Sequence, residues 1–374
     1  MSMWIMIMWT IIAVVSVSLF YLGVKTASLL KVGTVKEWGG FKRFSLGLLI
    51  TLAAFGLMIL CIDFVNAIVC AIYLAMIWAV CDFVFWLLGK ISRVKMKPGY
   101  SAITALVACV SALSAGWYFD HNVWQTDYEL ATTKNISDLK MAMIADSHIG
   151  TTFDADGFAE HLQKIQAQNP DIVVVVGDYV DDGTSKENML KATKALGQMK
   201  TKYGIYFVFG NHDRGYYGAA HRGFSADELI DELNKNGIKV LRDESVLIDD
   251  DFYLIGRRDY SVKHERGGER LSAAELTKDL DMSKYIIVLD HQPVEYDKDA
   301  AAKVDLVLSG HTHGGQLFPF NQVGKWIGAN DLVYGHERRG NTDFIVTSGI
   351  SDWAIKFKTS TKSEFVIINL TKGK

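Results

Sequence analysis

Ile172-Val173-Val174-Val175-Val176-Gly177-Asp178 is five β-branched residues in a row, then a glycine, then an acid. An uninterrupted run of this kind is a strand covered on both faces, as in a parallel sheet packed between other layers. The acid falls at its C-terminal end, where open α/β sheets place their ligand sites. The same order recurs on either side. Leu139–Ala145 ends in Asp146-Ser147-His148, and Ile205–Phe209 in Gly210-Asn211-His212-Asp213. Tyr285–Leu289 ends in Asp290-His291, and Val304–Leu308 leads to Gly310-His311-Thr312-His313-Gly314-Gly315. Amphipathic helices are predicted over Ala155–Asn169, Lys186–Gln198 and Ala226–Asn236, with a further helix over Ala273–Leu280. Shorter strands are predicted around Tyr128–Thr132, Val240, Val246, Phe252–Ile255, Phe344–Val346 and Phe365–Leu370. The fold class is α/β (α+β).

Five strand ends therefore carry polar clusters, and these use five of the ten histidines in the chain. Loops at strand ends on a rigid sheet are the expected seat of an active site. Asp146, His148, Asp178, Asn211, His291, His311 and His313 supply carboxylate, imidazole and one amide. All four cysteines (Cys61, Cys70, Cys81, Cys109) lie in the first third, so no thiolate joins them. That donor set suits Mn, Fe or Zn and argues against a structural zinc site. It is too large for one ion. Two divalent ions sharing a carboxylate, about 3.5–4 Å apart in such sites, would use it and would suit displacement at phosphorus.

The first third reads as membrane. Spans are predicted at about 3–23, 45–61, 66–88 and 100–119, with Asp63 and Asn66 at the turn between the middle two and an aromatic end at Trp117-Tyr118-Phe119. Residues 1–119 carry nine Lys/Arg against three acids, a charge of +6, so the chain's net −3 leaves −9 on the remainder. A remainder of that sign is not a nucleic-acid binder by electrostatics. All nine basic residues sit in loops 24–43 and 89–99. Both loops are thereby predicted to be cytoplasmic, which puts the later domain on the non-cytoplasmic side. Asp82 is the one intramembrane charge that could flag transport, and a pairing with Lys90 is predicted for it. The domain organisation is 1–119 transmembrane, 120–136 a polar lead-in, and 137–374 catalytic.

Asp146-x-His148, Gly177-Asp178-x-x-Asp181, Gly210-Asn211-His212-Asp213, a later His291 and Gly310-His311-x-His313, in this order, resemble the calcineurin-like metallophosphoesterases. The resemblance covers about 140–371. Gly310–Gln316, Ile205–Asp213 and Ser348-Gly349-Ile350 resemble a membrane-associated bacterial branch of that family. It implies two mixed β-sheets in a sandwich flanked by helices. It implies that Asp146, His148 and His313 bind one metal, that Asn211, His291 and His311 bind the second, and that Asp178 bridges. His212 resembles the family histidine that contacts the phosphate and protonates the leaving oxygen, with Asp213 orienting it; Asp181 supports the loop.

Several residues lie outside that pattern. Tyr179 stands where the branch more often has an aliphatic residue. Asp290 reads as a solvated acid, with a role orienting His291 as the alternative. Arg257, Arg258, Arg266 and Arg270 read equally as phosphate contacts or as a solvated basic loop. Phe318, Phe320, Trp326 and Ile327 read as packing under the metal loop or as a surface for lipid. The function expected is a membrane-anchored two-metal phosphoesterase cleaving a phosphodiester or pyrophosphate bond, its partners being the lipid bilayer and a phosphorylated, lipid-linked or envelope substrate. The rivals are a tethered phosphatase of soluble nucleotides or phosphoproteins, a UDP-2,3-diacylglucosamine-type hydrolase if the domain is cytoplasmic, and a non-enzymatic metal-binding sensor or transport protein.

Overall fold

A computed structural model describes residues 3–31, 33–94, 97–264 and 266–373. Lys95, one of the nine basic residues of the membrane region, lies outside the described residues. The chain forms two compact units, Met1–Ala115 and Gly116–Lys374.

The first unit is helical. Among the described residues, four helices are long and apolar enough to cross a membrane: α1 (Met3–Leu29), α2 (Gly40–Ile62), α3 (Phe64–Ser92) and α4 (Pro98–His121), whose last turns belong to the second unit. The α2–α3 turn falls on Asp63, whose carboxylate accepts from Asn66 N at 2.9 Å and from its side-chain amide, capping α3. Asp82 is not paired with Lys90. Its carboxylate forms an ion pair with Lys25 and accepts from Tyr21 Oη and Ser101 Oγ, both at 2.7 Å. Lys90 instead lies over the Trp86 ring at 4.3 Å. An intramembrane carboxylate so fully partnered joins α1, α3 and α4, and needs no transported ion to account for it.

The second unit is a sandwich of two six-stranded mixed sheets. One sheet has the order β1-β12-β2-β3-β4-β5, from β1 (Trp124–Thr132), β12 (Glu364–Lys372), β2 (Leu139–Ile144), β3 (Ile172–Val176), β4 (Ile205–Val208) and β5 (Ile238–Val240). The other has the order β10-β11-β9-β8-β7-β6, from β10 (Gly335–Arg339), β11 (Thr342–Val346), β9 (Leu306–Ser309), β8 (Tyr285–Leu289), β7 (Phe252–Gly256) and β6 (Glu244–Ile248). β2, β3 and β4 run parallel, as do β7, β8, β9 and β11, so their C-terminal ends come together along one rim of each sheet.

The valine run of β3 is buried throughout because each parity has its own core. Val174 and Val176 point between the sheets, clustering with Met141 and Val208 and with Leu254, Ile287 and Leu308 opposite. Val173 and Val175 point outward, beneath helices α5 (Ala155–Gln166), α6 (Lys186–Gly197) and, after the single turn α7 (Ala219–Arg222), α8 (Ala226–Lys235). Burying a valine contributes roughly 1.5–3 kcal/mol, so neither parity tolerates a polar residue cheaply. Tyr179 belongs to the outer core: it is fully buried edge-on to Phe158 and Phe207, which is why an aromatic is accepted there. The helix predicted over Ala273–Leu280 ends at Thr277. β10 was not predicted, since its charged sequence at the sheet edge has no apolar alternation.

Asp290 is not solvated; it is 1% exposed. Arg257 lies 3.1 Å from Asp290, 2.8 Å from Glu295 and 3.3 Å from Asp299, and Arg270 pairs with Asp290 and, at 2.7 Å, with Glu295. Arg257 and Arg270 are thus neither phosphate contacts nor a solvated loop. They clamp the residue before His291 to the loop after β7. Burial and the neighbouring Asp290 push Asp299 up to about 7, which lets three carboxyls sit against two guanidinium groups. Burial would raise Glu295, but Lys298, Arg257 and Arg270 outweigh it and hold its pKa at about 2. Its folded pKa being depressed, its contribution is present above the ordinary 4.5 and fades as pH falls toward 2. Glu295→Gln is expected to lower the opening free energy of β8 amides by roughly 1–2 kcal/mol at pH 7, the outer edge of the acid being water-screened. Hydrogen exchange on the full chain should show the gap to wild type closing below pH 4.5; a gap independent of pH would contradict the clamp.

Candidate metal centre

The strand-end clusters meet at the rim shared by the two sheets. Asp146 and His148 follow β2, Asp178 follows β3, Asn211 to Asp213 follow β4, His291 follows β8, and His311 and His313 follow β9. Asp146, His148 and His313 bring one side-chain donor each within 4.8 Å of one another, and so, separately, do Asp178, His291 and His311. The two histidines of the 310–315 loop are therefore divided between two groups, although only Thr312 separates them.

Asp178 links the groups. Its Oδ2 lies 3.1 Å from His291 Nε2 and 3.8 Å from His148 Nε2, while its Oδ1 accepts from His212 N at 2.8 Å. Other contacts fix the imidazoles from behind. His291 Nδ1 donates to Val176 O at 2.8 Å, His148 Nδ1 lies 3.3 Å from Asp181 Oδ2, and His313 Nδ1 lies 3.2 Å from Ser351 O and 3.1 Å from Asp352 Oδ1. His291 Nδ1 and His313 Nδ1 are engaged in this way and leave Nε2 facing the centre, the arrangement metal-binding histidines use, while His148 Nδ1 has Asp181 only as a charged neighbour. His291 Nε2, His148 Nε2 and Asn211 Oδ1 are buried without a hydrogen-bond partner. Leaving a buried polar atom unsatisfied costs about 1–3 kcal/mol. Lone pairs orphaned beside two aspartates fit divalent cations.

Electrostatics divide this donor set: His311 and His313 are neutral, whereas, against burial, the aspartates beside His291 and His148 favour their protonated forms, a proton that a bound cation would displace. Burial, reinforced by His291, pushes His311 down to about 3, and burial pushes His313 down to about 4, so both are neutral and available as ligands near pH 7. Burial opposes charge on His291, but Asp178 beside it lifts its pKa well above the usual value. Asp178 in turn is held well below the usual carboxylate range by the histidines around it, against its own burial.

The backbone is strained here. Asp146, His148, Asp178, His311 and His313 have φ of 54°, 37°, 51°, 69° and 48°. Left-handed conformations cost non-glycine residues roughly 1–2 kcal/mol each, and such strain collects at functional sites. The preceding glycines serve close approach of strand ends more than approach of a ligand. A Cβ on Gly177 would lie 2.5 Å from His291 Nδ1, and one on Gly310 would lie 2.8 Å from Ala145 Cβ.

Asp213 does not bond the His212 ring. Its Oδ2 accepts from Asp178 N and Gly210 N at 2.8 Å and its Oδ1 from Val180 N at 3.0 Å, so it ties the β3 and β4 loops together through the backbone. The His212 ring sits 4.9 Å from the half-exposed Trp353 and 5.3 Å from Tyr216. Asp181 supports its loop as expected, accepting from Gly183 N at 2.8 Å. Asp182 accepts from Tyr216 N and Tyr217 N at the rim. Arg266 reaches Asn211 O at 3.4 Å and Gly215 O at 3.3 Å. Asp352 went unread in the sequence, yet it follows β11 as the other clusters follow their strands. Extending the same rule to that strand end would have found it.

The sequence profile of the calcineurin-like phosphoesterases matches residues 139–315, which contain both groups. This segment is a calcineurin-like metallophosphoesterase domain. The chain is 29% identical over 317 residues to an uncharacterized metallophosphoesterase of Campylobacter jejuni, covering 82% of this chain and 79% of that protein. An alignment of that length is longer than the catalytic unit and takes in part of the membrane helices. A transmembrane protein with metallophosphoesterase domain from Danio rerio is 31% identical over 259 residues, 66% of this chain and 57% of that protein. An uncharacterized metallophosphoesterase of Aquifex aeolicus is 34% identical over 184 residues, 49% of this chain and 66% of that protein. A phosphoesterase domain is that of a hydrolase, and the two acid–histidine groups within it could hold metal ions.

Asp178→Asn should keep the fold, because the amide oxygen can still accept from His212 N, and should lose metal. Elemental analysis of the full-length metallophosphoesterase is expected to fall from about two ions per chain to one or fewer; two retained ions would show that Asp178 does not bridge.

Proposed function

We propose that the chain is a membrane-anchored two-metal phosphoesterase that cleaves a phosphodiester or pyrophosphate bond of a lipid-linked or envelope substrate. Residues 1–119 anchor, residues 120–136 lead from the last helix into edge strand β1, and residues 137–374 carry the chemistry on the non-cytoplasmic side. The observation that carries the reading is the pair of acid–histidine groups, one of which contains Asp178, whose carboxylate also lies 3.8 Å from His148 of the other. Asp146, His148 and His313 hold one ion, Asn211, His291 and His311 hold the other, and Asp178 bridges. When bound, such ions polarise a phosphoryl oxygen and supply a nucleophile near neutral pH.

The chain's own groups do the rest. His212 stays off the metals and faces the opening as the acid for the leaving oxygen. Burial lowers its pKa, so its ring is neutral in the free site near pH 7. A phosphodiester anion beside it favours the protonated form that a general acid needs. Asp213 is a positioning residue, holding the loops of Asp178 and Asn211 through the backbone. His212→Ala is expected to lower turnover of an activated aryl phosphodiester about 10²–10⁴-fold with metal content unchanged. Unchanged turnover would remove His212 from the reaction.

The aromatic rim favours a second reading. Trp353 and Tyr216, 54% and 47% exposed beside His212, would stack on a flat leaving group such as a nucleobase. A soluble nucleotide would then be the substrate and the membrane helices a tether. Comparing hydrolysis of lipid-linked and water-soluble phosphodiesters of the same head group separates the two readings; equal rates favour the soluble substrate. The side of the membrane is read from the exposed Lys278. An impermeant thiol reagent should label Lys278→Cys from the non-cytoplasmic face of intact cells. Labelling only after the cytoplasm is opened would reverse the topology and bring back a cytoplasmic lipid-precursor hydrolase of the UDP-2,3-diacylglucosamine type.

A further inference from the structure

Beyond the histidine loop the large apolar side chains of 317–327 are not packed beneath it. Phe318 is 61% exposed, Phe320 45%, Trp326 74% and Ile327 55%. Contiguous exposed apolar surface marks an interaction site, and the loop's neighbours say what covers this one. Thr359 Oγ1 accepts from Phe318 N at 2.9 Å, and Thr359 N donates to Gln316 O at 2.8 Å. The adjacent Lys358 N donates to Gly116 O at 3.0 Å, and a Cβ on Gly116 would lie 2.8 Å from Thr359 Cγ2. Gly116 begins the final turns of α4, a helix of membrane-spanning length and composition, and belongs to the catalytic unit. Trp117, Tyr118 and Phe119 follow it, all exposed, as in the aromatic belt at a membrane surface. Ser363 N donates to Phe119 O at 2.9 Å, which fixes the same turn a second time. Within one compact unit, Lys358 and Thr359 therefore join the apolar loop to the aromatic end of a membrane helix.

We propose that loop 317–327 rests in the interfacial layer of the bilayer that α4 spans, with Phe318, Phe320, Trp326 and Ile327 entering the acyl-chain boundary. The occupant of this surface is the phospholipid membrane itself. Interfacial segments of this kind bury their apolar side to a depth of roughly 5–10 Å. The loop also reaches the centre. A cavity of about 340 Å³ is lined by Leu317 and Phe320 of the loop, by Val333 and Ile355, and by His311 of the metal group. The loop and the metal group thus share a wall of that cavity. Docking of the loop does not depend on which bond is cleaved, and goes beyond the function proposed above.

The test uses the full-length chain in nanodiscs of phosphatidylcholine and phosphatidylglycerol containing a phosphatidylcholine with a photoactivatable diazirine in its acyl chain. After illumination and digestion, label is expected on peptides from 317–327 as well as on α1–α4, and not on α5, α6 or α8. Label confined to residues 3–121, with 317–327 as unlabelled as α6, would overturn the proposal. A variant with Trp326→Ser and Ile327→Ser changes only exposed side chains. It should lose most of the loop's label while hydrolysing a soluble aryl phosphodiester at the wild-type rate. Undiminished loop label in that variant would mean that lipid reaches the loop without insertion, and would overturn the proposal as well.

Discussion

The site depends on one buried carboxylate. Asp178 lies between the Nε2 atoms of His291 and His148, and its other oxygen is taken by the backbone of His212. Left unpaired, such a charge would neutralise by shifting its pKa; here the histidines hold it well below the usual carboxylate range. The surrounding architecture serves to bring donors from both sheets to this group. β3 delivers Asp178, β2 delivers Asp146 and His148 to one side, β8 delivers His291 to the other, the loop after β9 gives one histidine to each, and Asp213 stitches the β3 and β4 loops with three backbone bonds. Left-handed backbone at five of the donor residues is the energetic cost of aiming their side chains inward from strand ends.

Much of this could be read in the sequence. Runs such as Ile172–Val176 announce strands buried on both faces, and the order in which each is followed by an acid or a histidine located the rim and its donors. Burial of Asp290, Arg257 and Arg270 leaves no local signal, because it depends on partners far along the chain, here 33 and 20 residues away. The contacts of Asp213 are hidden for a related reason: its neighbour in sequence is His212, but in space its carboxylate meets the backbone of the preceding strand's loop. β10 and the partner of Asp82 escaped because neither leaves a periodic signal.

α4 runs from the membrane unit into the catalytic unit, and its last turns accept backbone hydrogen bonds from Lys358 and Ser363, on either side of the segment that also holds Phe318. Within the second unit, the apolar loop is thereby tied to the end of α4.

Locating the ions directly tests the central claim. In the full-length protein loaded with Mn²⁺, anomalous scattering should show two peaks per chain about 3.5–4 Å apart. One should be liganded by His313 with Asp146 and His148, the other by His311 with His291 and Asn211, with Asp178 touching both. A single peak, or His311 and His313 sharing one ion, would contradict the division of the loop between two metals.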